Sequence, residues 1–168
     1  MNINIKQIDE NYWKEFRAIR LKALRSDPKV FGSHYEREKN YSKKDWKDWI
    51  RGKNQAIFFI YDEEKQIGIT GIYIPQDTVT KTTAILWGSW LESDYRRKGV
   101  SRLMYKARID WAKQQPEIKR IEVSHRESNL ASKYANQKHG FKLIKEENKE
   151  WHDGITEKDV IYELKIEK

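Results

Sequence analysis

The chain has 168 residues, enough for one domain with a sizeable core and cramped for two. Its 36% charged and 12% aromatic content, with only 8 Gly and 3 Pro, excludes disordered, collagen-like and low-complexity architectures. The lack of Cys excludes disulfides, Fe–S clusters, thiolate zinc sites and cysteine nucleophiles, and the net charge of +8 asks for an anionic partner: nucleic acid, a membrane surface or a phosphorylated small molecule.

Residues 2–6 alternate, with Ile3 and Ile5 on one face, and predict a short strand. Residues 9–24 carry Tyr12, Phe16, Ile19 and Ala23 at helical spacing, flanked by Trp13 and Leu24, and predict a helix that Ser26-Asp27-Pro28 ends. No period organises 29–41, which reads as an ordered loop. A second helix begins near Ser42, where Asp45 completes a capping box with Asp in place of Glu, and Trp46, Trp49 and Ile50 form its apolar stripe. Residues 56–62 and 66–74 read as a hairpin across Glu63-Glu64-Lys65, and Pro75-Gln76-Asp77 turns the chain. Residues 82–91 form a third strand, with Ala84, Leu86, Gly88 and Trp90 on one face and Ile85, Trp87, Ser89 and Leu91 on the other. Val100, Leu103, Met104, Ala107 and Trp111 mark the clearest helix, which ends before Pro116. Residues 120–125 make a strand with Ile121 and Val123 on one face. Asn129 offers an N-cap for a short helix through His139, closed by Gly140. The last strands, 141–149 and 156–166, pair across Trp151-His152-Asp153-Gly154.

The segment 82–125 is strand, helix, strand, a connection that makes its strands parallel, while the hairpins around it supply antiparallel neighbours. The expected fold is one α/β domain over residues 1–168, a mixed sheet with helices on its faces. The N-terminus lacks the apolar core of a signal peptide, and the longest apolar or aromatic run, 56–61, is far short of a span. A cytoplasmic protein without a membrane partner is expected.

The most informative stretch is Tyr95-Arg96-Arg97-Lys98-Gly99-Val100-Ser101-Arg102, which leaves a strand and opens a helix. Gly99 lets the backbone turn tightly against a ligand. The first amides of a helix have no intrahelical acceptor and form an anion site. Six basic residues and no acidic one lie between Tyr95 and Arg108. A pyrophosphate is the natural guest, and a solvated basic turn before an ordinary core helix is the plain alternative.

Arg96-x-x-Gly99-x-Ser101 resembles the phosphate-loop motif of the GNAT superfamily of N-acetyltransferases, in which Arg or Gln is followed after two residues by Gly and then, one residue on, by Gly or Ala. Asp94-Tyr95-Arg96, the strand Lys119-Arg120-Ile121-Glu122-Val123, and Asn129 with Gly140-Phe141 are similar to that family in order and spacing. So is the N-terminal series Trp13, Phe16-Arg17, Arg20-Leu21, Ala23-Leu24, Asp27-Pro28 and Phe31-Gly32-Ser33, which looks like the first helix and loop of bacterial small-molecule members. The resemblance runs from about residue 3 to 166. It implies a central mixed sheet of about seven strands flanked by about four helices, with two splayed parallel central strands. It also implies acetyl-CoA as cosubstrate, without a metal. Arg96 and the amides of Arg97, Lys98, Gly99, Val100, Ser101 and Arg102 would cradle the pyrophosphate. Backbone groups of Trp90 and Leu91 would pair with the pantetheine arm, and Asn129 would contact the cofactor near its thiol end. The acceptor amine would attack the thioester directly, without an acyl-enzyme, which agrees with the missing Cys.

Three positions depart from the family. Ser101 stands where Gly or Ala is usual. Asn136 occupies the place of the Tyr that protonates the departing thiolate; Tyr134, two residues and about 200° away on the helix, is expected to turn into the core with Leu130. The strand face Ile85, Trp87, Ser89, Leu91 carries no Glu or His base, so Glu92 and His125 are the candidate bases, with Asn136 holding a water or the sulfur region. Phe31, Ser33 and Trp87, with the loop at 151–154, would border the acceptor. His34, His125, His139 and His152 match no metal spacing. The expected function is acetyl transfer to the primary amine of a small molecule, such as a free amino acid. A CoA-binding regulator without catalysis is the alternative. A nucleic-acid module is motivated by charge alone, shows no recognition signature, and is not expected. A homodimer is an assembly the resemblance allows.

Overall fold

A computed structural model describes residues 1–77, 79 and 81–168. Its strands are β1 (Ile3–Gln7), β2 (Gln55–Asp62), β3 (Lys65–Tyr73), β4 (Thr83–Leu91), β5 (Arg120–Arg126), β6 (Lys142–Glu150) and β7 (Thr156–Lys165). They form one sheet in the order β1-β2-β3-β4-β5-β7-β6, antiparallel throughout except for the parallel pair β4–β5. The helices are α1 (Trp13–Ser26), α2 (Tyr35–Glu38), α3 (Lys43–Ile50), α4 (Val100–Lys113) and α5 (Leu130–Lys138). The mixed sheet with flanking helices is the expected one; the additional helix is α2, inside the stretch read as a loop.

Alternation along β2 divides the core. Ile57 and Phe59 pack with Phe16, Ile19 and Leu24 of α1 and Trp46 of α3. Ala56 and Phe58 pack on the opposite face with Tyr105, Trp111 and Ala112 of α4. The α3 start carries the anticipated capping box: Asp45 N–H donates to Ser42 Oγ at 3.1 Å and Ser42 N–H to Asp45 Oδ2 at 2.8 Å. Such a box satisfies two otherwise orphaned donors. In α4 the buried stripe is Val100, Met104, Tyr105, Arg108, Trp111 and Ala112, rotated from the apolar positions read in the sequence, so that it includes a cation. In α5 only Asn136 is buried. Tyr134 is 61% exposed and Leu130 52%, so the expected burial of both is corrected: this helix turns its polar Asn inward and its aromatic outward.

Two features of the sheet position the site. First, β4 and β5 pair only at Thr83–Arg120, Ala84–Ile121 and Ile85–Glu122. Beyond these, β4 stays with β3 and β5 with β7, and the two central strands separate. Second, β4 carries a bulge: Ile69 faces Trp90 and Gly71 faces Trp87, so Gly88 and Ser89 together oppose Thr70. A bulge adds one residue and reverses the alternation past it. Trp87 and Trp90 therefore lie on the same face, against α1 and α3, where simple alternation had put them on opposite faces. Ser89 turns to the other face and accepts from Arg108 Nη1 at 2.9 Å.

Trp87 lies flat on β3. A Cβ at Gly71 would stand 2.4–2.7 Å from its ring atoms. The ring cannot easily retreat, because it stacks on Trp49 (5.2 Å, 17°), which stacks on Trp46 (5.6 Å, 20°). Gly71→Ala is expected to cost about 1–3 kcal/mol through this overpacking. A urea midpoint unchanged from that of the parent chain would show that the column is free to shift.

Candidate active site

The turn between β4 and α4 is built by backbone conformation. Arg97 (φ 61) and Gly99 (φ 80) both occupy the left-handed region. Glycine adopts it at no steric cost, whereas Arg97 is strained, a feature that clusters at ligand-binding turns. Among the described residues, the amides of Arg97, Lys98, Gly99, Val100 and Ser101 donate to no protein acceptor; the next, Arg102, donates to Gly99 O at 3.3 Å. Five free donors at the positive end of a fourteen-residue helix make an anion site.

The cations sort differently from their sequence clustering. Arg97, Lys98 and Arg102 are exposed beside the free amides. Lys106 pairs with Asp110 at 2.5 Å, and Arg108 is buried. The Arg96 guanidinium turns inward: Nε donates to Leu91 O at 2.9 Å and Nη2 to Asp27 Oδ2 at 2.7 Å. Asp27 also accepts from Trp90 Nε1 at 2.7 Å. Burial raises the Asp27 pKa, but hydrogen bonds from Arg96 and Trp90 outweigh it and hold the carboxyl below its ordinary value. Arg96 thus ties the end of β4 to the end of α1 while also lining the cleft.

From this loop a cleft runs inward along α4. Its outer part, about 200 Å³, is lined by Leu91, Arg96, Ser101, Met104, Asn129 and Ala135 among others. The Asn129 side chain caps α5, accepting from Ser132 N–H at 3.1 Å. The inner part, about 90 Å³, lies between the separated strands, with Phe31, Trp87, Ser89, Ser124 and Asn136 on its walls. Val30, Ser89, Tyr105, Arg108 and Ser132 line both parts, so the two are continuous. The lining of the inner part contains no Asp or Glu.

Of the three candidate catalytic residues, the structure brings only Asn136 to this cavity. Its Oδ1 accepts from Tyr105 OH at 2.5 Å, and its Nδ2 is buried without a partner. His125 is corrected. It is buried outside the lining of the cleft, with Nδ1 against Arg126 O at 2.7 Å, Nε2 against Tyr162 OH at 3.0 Å, and its ring stacked on Tyr162. Both ring nitrogens are engaged by protein groups away from the cleft, so the ring does not face an acceptor there. Glu92 is corrected too. It lines a side groove with Lys22 and Asp94, paired with Lys22 at 2.5 Å and Lys65 at 2.8 Å. Lys22 first and then Lys65 hold its carboxyl below the ordinary range, which makes it a poor base. On the acceptor side Phe31 and Trp87 reach the inner cavity, while Ser33 does not, its Oγ being buried without a partner.

Sequence reading missed Tyr105 and Arg108 as cleft residues. The available signal was Arg108 itself, a cation four residues after Met104 and eight after Val100 on an apolar stripe. Among the described residues no group of three or more His, Asp or Glu side chains could hold a metal, and no helix is long and apolar enough to cross a membrane.

Residues 7–141 match the sequence profile of the Acetyltransferase (GNAT) family. A comparison with curated protein sequences gave no significant match. Among solved structures, an acetyltransferase of the GNAT family from Streptococcus pneumoniae superposes with a TM-score of 0.83 at 17% identity, covering 98% of this chain and 100% of its own. The Salmonella typhimurium protein yncA, solved with its cofactor acetyl-CoA, gives 0.81 at 12% identity, with 100% and 96% coverage. The ribosomal-protein-S18-alanine N-acetyltransferase from Escherichia coli gives 0.70 at 17% identity, with 99% and 95% coverage. At these identities the likeness is one of fold.

Proposed function

The chain belongs to the acetyltransferase (GNAT) family, and from that premise we propose that it is an acetyl-CoA-dependent N-acetyltransferase acting on the primary amine of a small molecule. The observation that carries this reading is the run of free amides from Arg97 to Ser101, flanked by exposed cations and opening into a cleft between separated strands. These groups fit a pyrophosphate, whose negative charge complements the helix terminus and Arg97, Lys98 and Arg102. The β5-facing edge of β4 past Ile85 is free of strand pairing, and an extended amide-bearing arm adds to such an edge by backbone hydrogen bonds. Leu91 O already accepts from Arg96 and Trp90 is registered with Ile69 of β3, so the contribution of each is shared. Acetyl-CoA is a substrate consumed in each turnover. Its thioester supplies the activated acyl group, and the chain supplies position and charge.

A small acceptor is supported by the size of the inner cavity and by its walls, Val30, Phe31 and Trp87. With no carboxylate lining it, the cavity has nothing to hold a polybasic acceptor. Titration calorimetry with acetyl-CoA tests the first half of the reading; no heat at concentrations on the order of tens of micromolar would overturn it. A panel of small amines and short peptides, read by release of free CoA thiol, tests the second half. Turnover with small amines is expected. Turnover with peptides alone replaces the acceptor class, and binding without turnover on any acceptor favours a CoA-responsive regulator. The chain has no Cys, so the thiol signal comes from CoA alone.

A further inference from the structure

Arg108 is 2% exposed and makes no ion pair among the described residues. Its Nε donates to Met104 O at 3.0 Å, its Nη1 to Ser89 Oγ at 2.9 Å, and its guanidinium lies 4.9 Å from the Tyr105 ring centroid. Buried charges are ordinarily paired, since desolvation is costly without a counter-charge. Burial, opposed by the neighbouring Tyr105, pulls this guanidinium down to about 10, which leaves it cationic at neutral pH. The other buried arginines, Arg20 and Arg126, each face a carboxylate. Arg108 faces the cavity instead.

Across the cavity, Asn136 is 1% exposed. Tyr105 OH donates to its Oδ1 at 2.5 Å, which fixes the amide and leaves Nδ2 as a buried donor with no acceptor. Burial raises the Tyr105 pKa, so the phenol keeps its proton and its hold on Asn136. An orphaned buried donor costs about 1–3 kcal/mol unless a ligand supplies the acceptor. The cavity therefore presents a cation, an unused amide donor and the hydroxyls of Ser89, Ser124 and Ser132, with nothing acidic to offset them.

We propose that Arg108 and Asn136 form an anion hole that holds the sulfur of the departing CoA as a thiolate, so that no protein group has to protonate it during acetyl transfer. This rests on the acetyl-CoA reading above. With the phosphates at the loop, the far end of the substrate reaches the inner cavity, since the two parts of the cleft share Arg108 and Tyr105. The amine nitrogen's lone pair forms the C–N bond, the C–S bond breaks with its pair on sulfur, and the proton shed by nitrogen passes to solvent. The thiolate leaves the site and takes a proton from water. The same positive potential disfavours an ammonium in the cavity, so an acceptor amine is favoured there in its neutral, nucleophilic form. Tyr105 is a positioning residue in this arrangement.

The test titrates the CoA thiol in its complex with the protein, following the ultraviolet absorbance change of the thiolate above the protein's own background, to which a chain without Cys adds no thiolate of its own. At neutral pH the bound thiolate fraction is expected to exceed that of free CoA by about tenfold or more, the effect of an adjacent opposite charge. Arg108→Met, read at CoA concentrations that calorimetry shows to saturate it, should return the fraction to the free value, and Arg108→Lys should keep most of the effect. A wild-type complex whose thiol titrates like free CoA overturns the inference and leaves the acetyl-CoA reading standing. Failure of the wild type to bind CoA removes both. If the Met variant does not fold, the wild-type and Lys titrations decide alone.

Discussion

Gly99→Glu is expected to leave the protein folded and to weaken acetyl-CoA binding by at least about 100-fold, the scale of losing several charge-assisted hydrogen bonds. No heavy atom stands within 4 Å of a Cβ built at Gly99, so the new side chain meets open space rather than the core. The backbone there has φ 80, and a non-glycine residue in that region costs about 1–2 kcal/mol, a loss a domain of this size tolerates. The carboxylate, however, enters a site whose donors are the amides of residues 97–101. It can accept from them itself and it repels a pyrophosphate. Gly99→Ala separates strain from charge: it carries the same backbone cost and should lose less than about tenfold in affinity. Calorimetry reads the affinity, and the cooperative thermal transition reads the fold. A Glu variant that binds as well as the parent would move the phosphate site elsewhere.

The second large effect is one of stability. Glu38→Gln is expected to cost about 3–5 kcal/mol, because it leaves a buried guanidinium without its counter-charge. Arg20 and Glu38 are 5% and 1% exposed, and two parallel hydrogen bonds join them, Nε to Oε2 and Nη2 to Oε1, each 2.9 Å. This pair pins the four-residue α2 to α1. The guanidinium lies 5.0 Å from the Phe31 ring centroid, 5.4 Å from Trp49 and 5.7 Å from Trp87, so the wall of the inner cavity leans on it. The double change Arg20→Met with Glu38→Leu removes both charges and should recover most of the loss, as apolar replacements of buried pairs do. Guanidinium denaturation of the three chains measures this. A single variant within about 1 kcal/mol of the parent would mean that water already reaches the pair.

Much of the fold was legible from local pattern. The strand alternation, the capping box at Ser42 and Asp45, the hairpin across Glu63–Lys65 and the turn at Gly99 are set by residues near one another in the chain, which is where propensity and hydrogen-bond chemistry operate. The helix α2 escaped because its stability comes from Glu38 meeting Arg20, a contact that no periodicity announces. The bulge at Gly88 and Ser89 escaped for a similar reason. It exists in the pairing of β4 with β3, and it moves Trp90 to the face of Trp87. In the site, the free amides were readable and the destinations of the cations were not. Arg96 is drawn off by Asp27, and Arg108 belongs to the other end of the cleft. His125 and Glu92 were attractive because of their residue types; tertiary partners, Tyr162 for one and Lys22 with Lys65 for the other, take that capacity away.

The early end of the β4–β5 pairing has a thermodynamic side. Past Ile85 the two central strands of the sheet leave backbone hydrogen-bonding capacity unused in the middle of the molecule, where most folds would have closed it. A ligand that adds its own amides there completes the sheet, and its binding free energy becomes part of the folding free energy. For a bound substrate at 100 times its dissociation constant, the linkage amounts to about 2.7 kcal/mol. With such a ligand the melting temperature is expected to track its supply, and the chain to be most open to proteolysis and unfolding when the supply runs low.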